Sequence, residues 1–111
     1  MNFRENTDTI VIHCADTPDD RDVSMKEIKR WHVEERGWSD IGYHFVIRRN
    51  GLVEAGRDIK LQGAHARQVN GTSVGICMVG RKDFDPRQFE SLKDTVMLLL
   101  KLYPECKVIG H

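Results

Sequence analysis

Residues Thr9 to Cys14 read TIVIHC, an unbroken run of β-branched and apolar positions. A run this short, without alternation, is expected to form a strand buried on both faces. The polar stretch ADTPDDRD that follows is loop chemistry. At Ser24 the period changes. Ser-Met-Lys-Glu is a capping box, with Glu27 placed to reach back to the cap. Met25, Ile28, Trp31 and His32 then fall on one helical face, which predicts a helix running to about Arg36 and stopped by Gly37. Two strand-like runs, Tyr43 to Arg49 and Leu52 to Arg57, flank Asn50-Gly51. That dipeptide predicts a hairpin with positive φ at both turn positions.

The segment from Gln62 to Gly71 has no clear period and is expected to be an irregular connection. Ser73 to Val79 (SVGICMV) predicts another buried strand. Asp85-Pro86 with Gln88 opens a second helix, the aspartate capping and the proline taking the first turn. Its apolar stripe is Phe89, Leu92, Val96, Leu99, Leu100 and Tyr103, and Pro104 ends it. Lys107 to Gly110 predicts a last short strand. The order β-α-β-β-β-α-β places the chain in the α/β class, with a mixed central sheet flanked by helices.

Length and charge narrow this picture. The 111 residues are expected to form a single domain, residues 1–111, acting as a monomer. Seventeen Lys+Arg balance seventeen Asp+Glu. Zero net charge argues against nucleic acid as a partner and against attachment to an anionic membrane through bulk charge. It also disfavours a nuclease, which needs a phosphate-tracking groove. The longest apolar run, Val96 to Leu100, is too short to insert across a bilayer. No apolar signal segment opens the chain, so cytoplasmic synthesis is expected. Residues Met1 to Asp8 are polar and have no evident structural duty. Cys14 and Cys77 lie in apolar runs and are expected to be small buried thiols, kept reduced.

Among five histidines, His13 closes the first strand and His111 the last. Functional groups gather where loops leave the ends of α/β strands. If those two strands are parallel neighbours, both imidazoles reach one rim, as a zinc site requires. Two strand-end histidines satisfied by ordinary hydrogen bonds fit the same spacing. Tyr43, after Gly42, is placed either to donate to an oxyanion or to stand as a strand aromatic. His44 alternates to the opposite face from Tyr43. His32 reads as a packed core histidine. His65 lies in a small-residue loop, either exposed or touching ligand. Asn70-Gly71 is first a turn signal.

Taken together, three segments carry a resemblance. They are IVIHCADT, then WH-x(4)-GWSDIGYHFVIRRNG-x-VEAGR, then GAHA-x(4)-N-x-x-SVGICMVG. In this order they resemble the zinc-dependent N-acetylmuramoyl-L-alanine amidases, the family of short phage and prophage endolysins and of animal peptidoglycan recognition proteins. The resemblance runs from about Thr9 to His111. It implies an amidase/peptidoglycan-recognition-protein-like fold and hydrolysis of the amide between N-acetylmuramic acid and the L-alanine of the stem peptide. It further implies a Zn2+ cofactor with His13 and His111 as metal ligands, Tyr43 as the catalytic tyrosine beside the metal, and His65 and Asn70 along the substrate groove. Peptidoglycan is the implied partner, met at the cell wall after release from the cytoplasm. Some short phage members also bind a polymerase, so an unidentified protein partner is a further expectation.

In the family a loop after the second histidine carries a third ligand, cysteine or aspartate, and often a lysine. The expectation from the sequence is therefore a domain lacking its C-terminal segment, with no other histidine on a face suited to replace the third ligand. Little amide cleavage with added zinc is expected of residues 1–111, and a longer chain is expected to restore it. The alternative reading is a non-catalytic peptidoglycan-binding module or a regulatory derivative.

Overall fold

A computed structural model describes residues 2–111. Five strands form one sheet in the order β3-β2-β4-β1-β5. They are β1 (Thr9–Cys14), β2 (Phe45–Ile47), β3 (Val53–Ala55), β4 (Ser73–Met78) and β5 (Lys107–Gly110). β1 runs parallel to both β4 and β5, β2 parallel to β4, and only the β2–β3 hairpin is antiparallel. This is the expected mixed sheet.

Helix α2 (Pro86–Leu102) covers one face, where Leu99 packs with Ile10, Ile47, Val74, Ile76 and Met78. Its start has the expected form: Asp85 accepts from the helix backbone and Gln88 reaches back to the cap. Helix α1 (Met25–Arg30) lies on the other face with Ile28 packed among Val23, Ile41, Val46, Cys77 and Val79. Central strands covered on both faces explain why TIVIHC and SVGICM show no alternation.

Several expectations are corrected. The first helix continues beyond Arg30 as a π-helical turn, Trp31–Glu35, before Gly37 (φ +71°) ends it. The wider turn shifts the register that an even 3.6-residue period assumes. In the hairpin only Gly51 has positive φ, +88°. The amide of Gly51 donates to the Arg48 carbonyl, and the Asn50 side chain accepts from the Leu52 amide. The connection is thus a three-residue one with glycine at the left-handed position, and Asn50 is left without that strain. β5, a last short strand as expected, lies at the sheet edge with Val108 and Ile109 exposed. Cys14 is exposed because it leaves the top of β1, whereas Cys77 is buried as expected.

The leading segment also has a duty that its polar composition hides. The Arg4 amide donates to the Lys60 carbonyl, and the Gln62 amide to the Asn2 carbonyl. The Arg4 guanidinium donates to Thr7 Oγ1, the Leu61 carbonyl and the Tyr103 hydroxyl, tying the N-terminal strap to the end of α2. Met1 lies outside the described residues.

Candidate active site

Parallel pairing of β1 with β5 sets Ile12 opposite Gly110, so the next residues, His13 and His111, leave the sheet side by side. The His111 amide donates to the Ile12 carbonyl, and the two imidazole centres lie 4.6 Å apart. Tyr43 approaches His13 from the β2 side, with ring centres 5.3 Å apart. Three of the residues singled out in the sequence therefore meet at one rim, although His13 and His111 follow the first and the last strand of the chain.

His65 joins them. Its loop folds down onto β4, where Gly75 has no side chain; a Cβ there would lie 2.5 Å from the His65 ring. Any larger residue at 75 would lift the imidazole off the sheet. His65 Nδ1 lies 2.9 Å from His13 Nε2, and His65 Nε2 lies 3.2 Å from Ser73 Oγ. The exposed-loop reading of His65 is corrected: its ring packs onto the sheet beside His13. Asn70 Oδ1 accepts from the His65 and Ala66 amides, so this residue shapes the loop that carries His65.

Two further histidines are held in the structure. His44 is buried; its Nδ1 accepts from the Gly75 amide and its Nε2 faces the Leu61 carbonyl. His32 Nδ1 accepts from the Gly42 amide, which leaves Nε2 as the protonated nitrogen of the neutral ring. Gly42 is needed there, since a side chain would overlap the Ala64 carbonyl.

Next to Tyr43 a groove opens between the sheet and the first helix. Ala15, Trp31, His32, Glu35, Arg36 and Tyr43 line it. His32 is buried as the sequence predicts, while Glu35 and Arg36 carry no such signal. The π-helical turn carries Trp31, His32 and Glu35 on the helical side of the groove.

Burial keeps these imidazoles uncharged. Desolvation, then the neighbouring His111, pushes His13 down to about 4. Burial and the adjacent His13 take His65 to about 3. Burial likewise takes His32 and His44 to about 4. For Tyr43, burial and the nearby Cys77 thiol push the phenol up, so it keeps its proton and can donate.

These shifts predict a pH dependence of stability. All four imidazoles titrate near 6.5 when unfolded and well below that when folded, so the unfolded chain binds more protons across the interval between. Stability is therefore full above 6.5 and falls as the pH drops toward 4. The slope is about 1.4 kcal/mol per pH unit for each imidazole kept neutral. Urea unfolding across that window checks this; a constant midpoint would contradict it.

Among the described residues, no group of three or more His, Cys, Asp or Glu is arranged to hold a metal ion. The donor chemistry of the rim still fits zinc in part. His13 is a neutral imidazole, and His111 offers a second ring beside it. His65 does not complete the set, because the His13 ring takes up its Nδ1.

The family described as N-acetylmuramoyl-L-alanine amidase matches residues 3–111. The chain belongs to that amidase family. It is 42 % identical over 116 residues to the endolysin of Escherichia phage T7, covering 97 % of this chain and 76 % of that protein. Peptidoglycan-recognition protein LB of Drosophila melanogaster is 35 % identical over 123 residues, covering 99 % of this chain and 53 % of that protein. Among solved structures, the endolysin amidase LysCS of Clostridium intestinale superposes with a TM-score of 0.89 at 31 % identity, covering 99 % of this chain and 72 % of that one. A tyrosine-to-phenylalanine variant of Drosophila protein LB, solved in complex with tracheal cytotoxin, superposes at 0.86 with 28 % identity, covering 100 % and 73 %. The amidase fold and membership of a family of peptidoglycan hydrolases follow. In this amidase no helix among the described residues is long and apolar enough to cross a membrane.

Proposed function

We propose that this amidase is a zinc-dependent endolysin, of phage or prophage origin, that cleaves the amide joining N-acetylmuramic acid to the L-alanine of the stem peptide. The observation that carries the reading is the pair of imidazoles, His13 and His111, on adjacent parallel strand ends, with Tyr43 beside them. His13 and His111 would hold the zinc. When bound, zinc polarises an amide carbonyl and makes water nucleophilic near neutral pH.

The chain's own residues supply the rest. The Tyr43 phenol keeps its proton and donates to the carbonyl oxygen as negative charge develops on it. His32 Nε2–H and Arg36 line the adjoining groove and donate to polar groups of the stem peptide. His65 and Asn70 act on the substrate side through the loop they order. The enzyme acts as a monomer on the wall, after release from the cytoplasm.

The bond cleaved identifies the reaction. Amide hydrolysis of purified peptidoglycan frees the amino group of L-alanine and creates no reducing sugar end. New reducing ends without new amino groups would rule out the proposal. A second reading, a peptidoglycan-binding module without catalysis, is supported by the likeness to peptidoglycan-recognition protein LB. Retention on insoluble peptidoglycan without release of amino groups supports that second reading.

A further inference from the structure

The hydrogen bonds around His65 define where protons sit, and that inventory reaches His13. Ser73 Oγ lies 2.6 Å from the Val69 carbonyl. A carbonyl oxygen only accepts, so the single hydroxyl proton of Ser73 points there. Ser73 is fully buried and has no other proton to give. Toward His65 it can only accept, so the proton of the neutral His65 ring lies on Nε2, 3.2 Å away. His65 Nδ1 is then a bare lone pair. It lies 2.9 Å from His13 Nε2, and a contact that short between two ring nitrogens needs one proton between them. That proton belongs to His13 Nε2. In a neutral imidazole the other nitrogen, Nδ1, is then unprotonated.

We propose that Ser73, acting through His65, fixes His13 as its Nε2–H tautomer, so that Nδ1 is the lone pair His13 presents to a metal. Ser73 and His65 are positioning residues on this assignment. They do for His13 what a carboxylate or backbone carbonyl does behind a metal-bound histidine elsewhere: they hold the ring and select the nitrogen. The buried hydroxyl of Ser73 and the bare floor at Gly75 have a common purpose here, since one sets the His65 proton and the other lets the ring lie flat on the sheet. The metal half of the proposal rests on the zinc reading above; the tautomer half does not.

Nitrogen NMR of the metal-free chain, labelled with 15N in its histidine rings and held at about pH 8, where imidazoles are neutral, separates the two halves. Protons on Nε2 of both His13 and His65 are expected. A proton on Nδ1 of His13 would overturn the assignment. Ser73→Ala is expected to let both rings sample the other tautomer, and an unchanged His13 pattern would remove Ser73 from the relay. Should Ser73→Ala fail to fold, His65→Asn and His65→Ala replace it. The asparagine can keep an acceptor oxygen near the Nδ1 position and should preserve His13 Nε2–H, whereas alanine should lose it. Equal patterns in the two variants would overturn the role of His65. Added zinc is expected to shift His13 Nδ1 and leave Nε2 protonated. No zinc-induced shift at Nδ1, with the tautomer as assigned, would overturn the metal half alone.

Discussion

In a longer chain with full activity, replacing His13 with alanine is expected to lower amide cleavage by more than about 100-fold, since losing even a residue that supports a metal ligand costs about 10- to 100-fold. The reason lies in the packing as much as in the donor. His13 is in contact with His65, His111 and Tyr43 together, so its removal leaves the rim without the ring that joins them. The fold itself should survive, because His13 sits at the rim of the sheet and does not belong to either apolar cluster. Far-ultraviolet circular dichroism would confirm that the variant is folded, and release of L-alanine amino groups would read the activity. Cleavage within about threefold of the parent would remove His13 from the machinery.

Tyr43→Phe is the second large effect, and it separates catalysis from structure. Only the hydroxyl is lost. The ring keeps its place against His13 and against His32, 5.3 Å and 5.7 Å between ring centres. A donor aimed at a developing oxyanion is worth about 100- to 1,000-fold in kcat. The expected result is therefore a fall of that size in kcat, with KM and thermal stability little changed. A raised KM with unchanged kcat would make Tyr43 a binding residue instead.

The secondary structure was largely legible along the chain because its signals are local. β1 and β5 follow their apolar runs residue for residue, and both helices begin at the capping boxes read from Ser24 and Asp85. The family resemblance was likewise carried by contiguous segments, with GYHF and the strand around His13 in the right order. Misreadings came where neighbours along the chain are not neighbours in space. Arg4 belongs to a polar segment, yet its guanidinium reaches Tyr103 across the fold. Cys14 ends an apolar strand, yet no element covers it. Asn50 matches a two-residue turn, but its side chain bonds the Leu52 amide and the loop takes a third residue.

The site divides in the same way. His13, His111 and Tyr43 could be chosen because each closes or opens a strand, where side chains emerge at a rim. His65 could not be placed, since a loop without periodicity does not reveal where it lands. The signal that could have located it was Gly75, a glycine within a strand, which often marks close approach by another group. Glu35 and Arg36 escaped for a different reason: as charged residues off the apolar stripe, nothing local marks them for the groove.

The sequence by itself determined the strands, the helix starts, the amidase resemblance and the identity of the rim residues, because caps, apolar runs and motifs act over a few residues. Only the tertiary structure decided that His65 meets His13 edge-on, that Ser73 Oγ lies beside His65 Nε2, and that the first helix opens a groove beside Tyr43. Those outcomes depend on contacts between segments up to 52 residues apart, and hydrogen-bond direction is settled only when every donor there has found its acceptor.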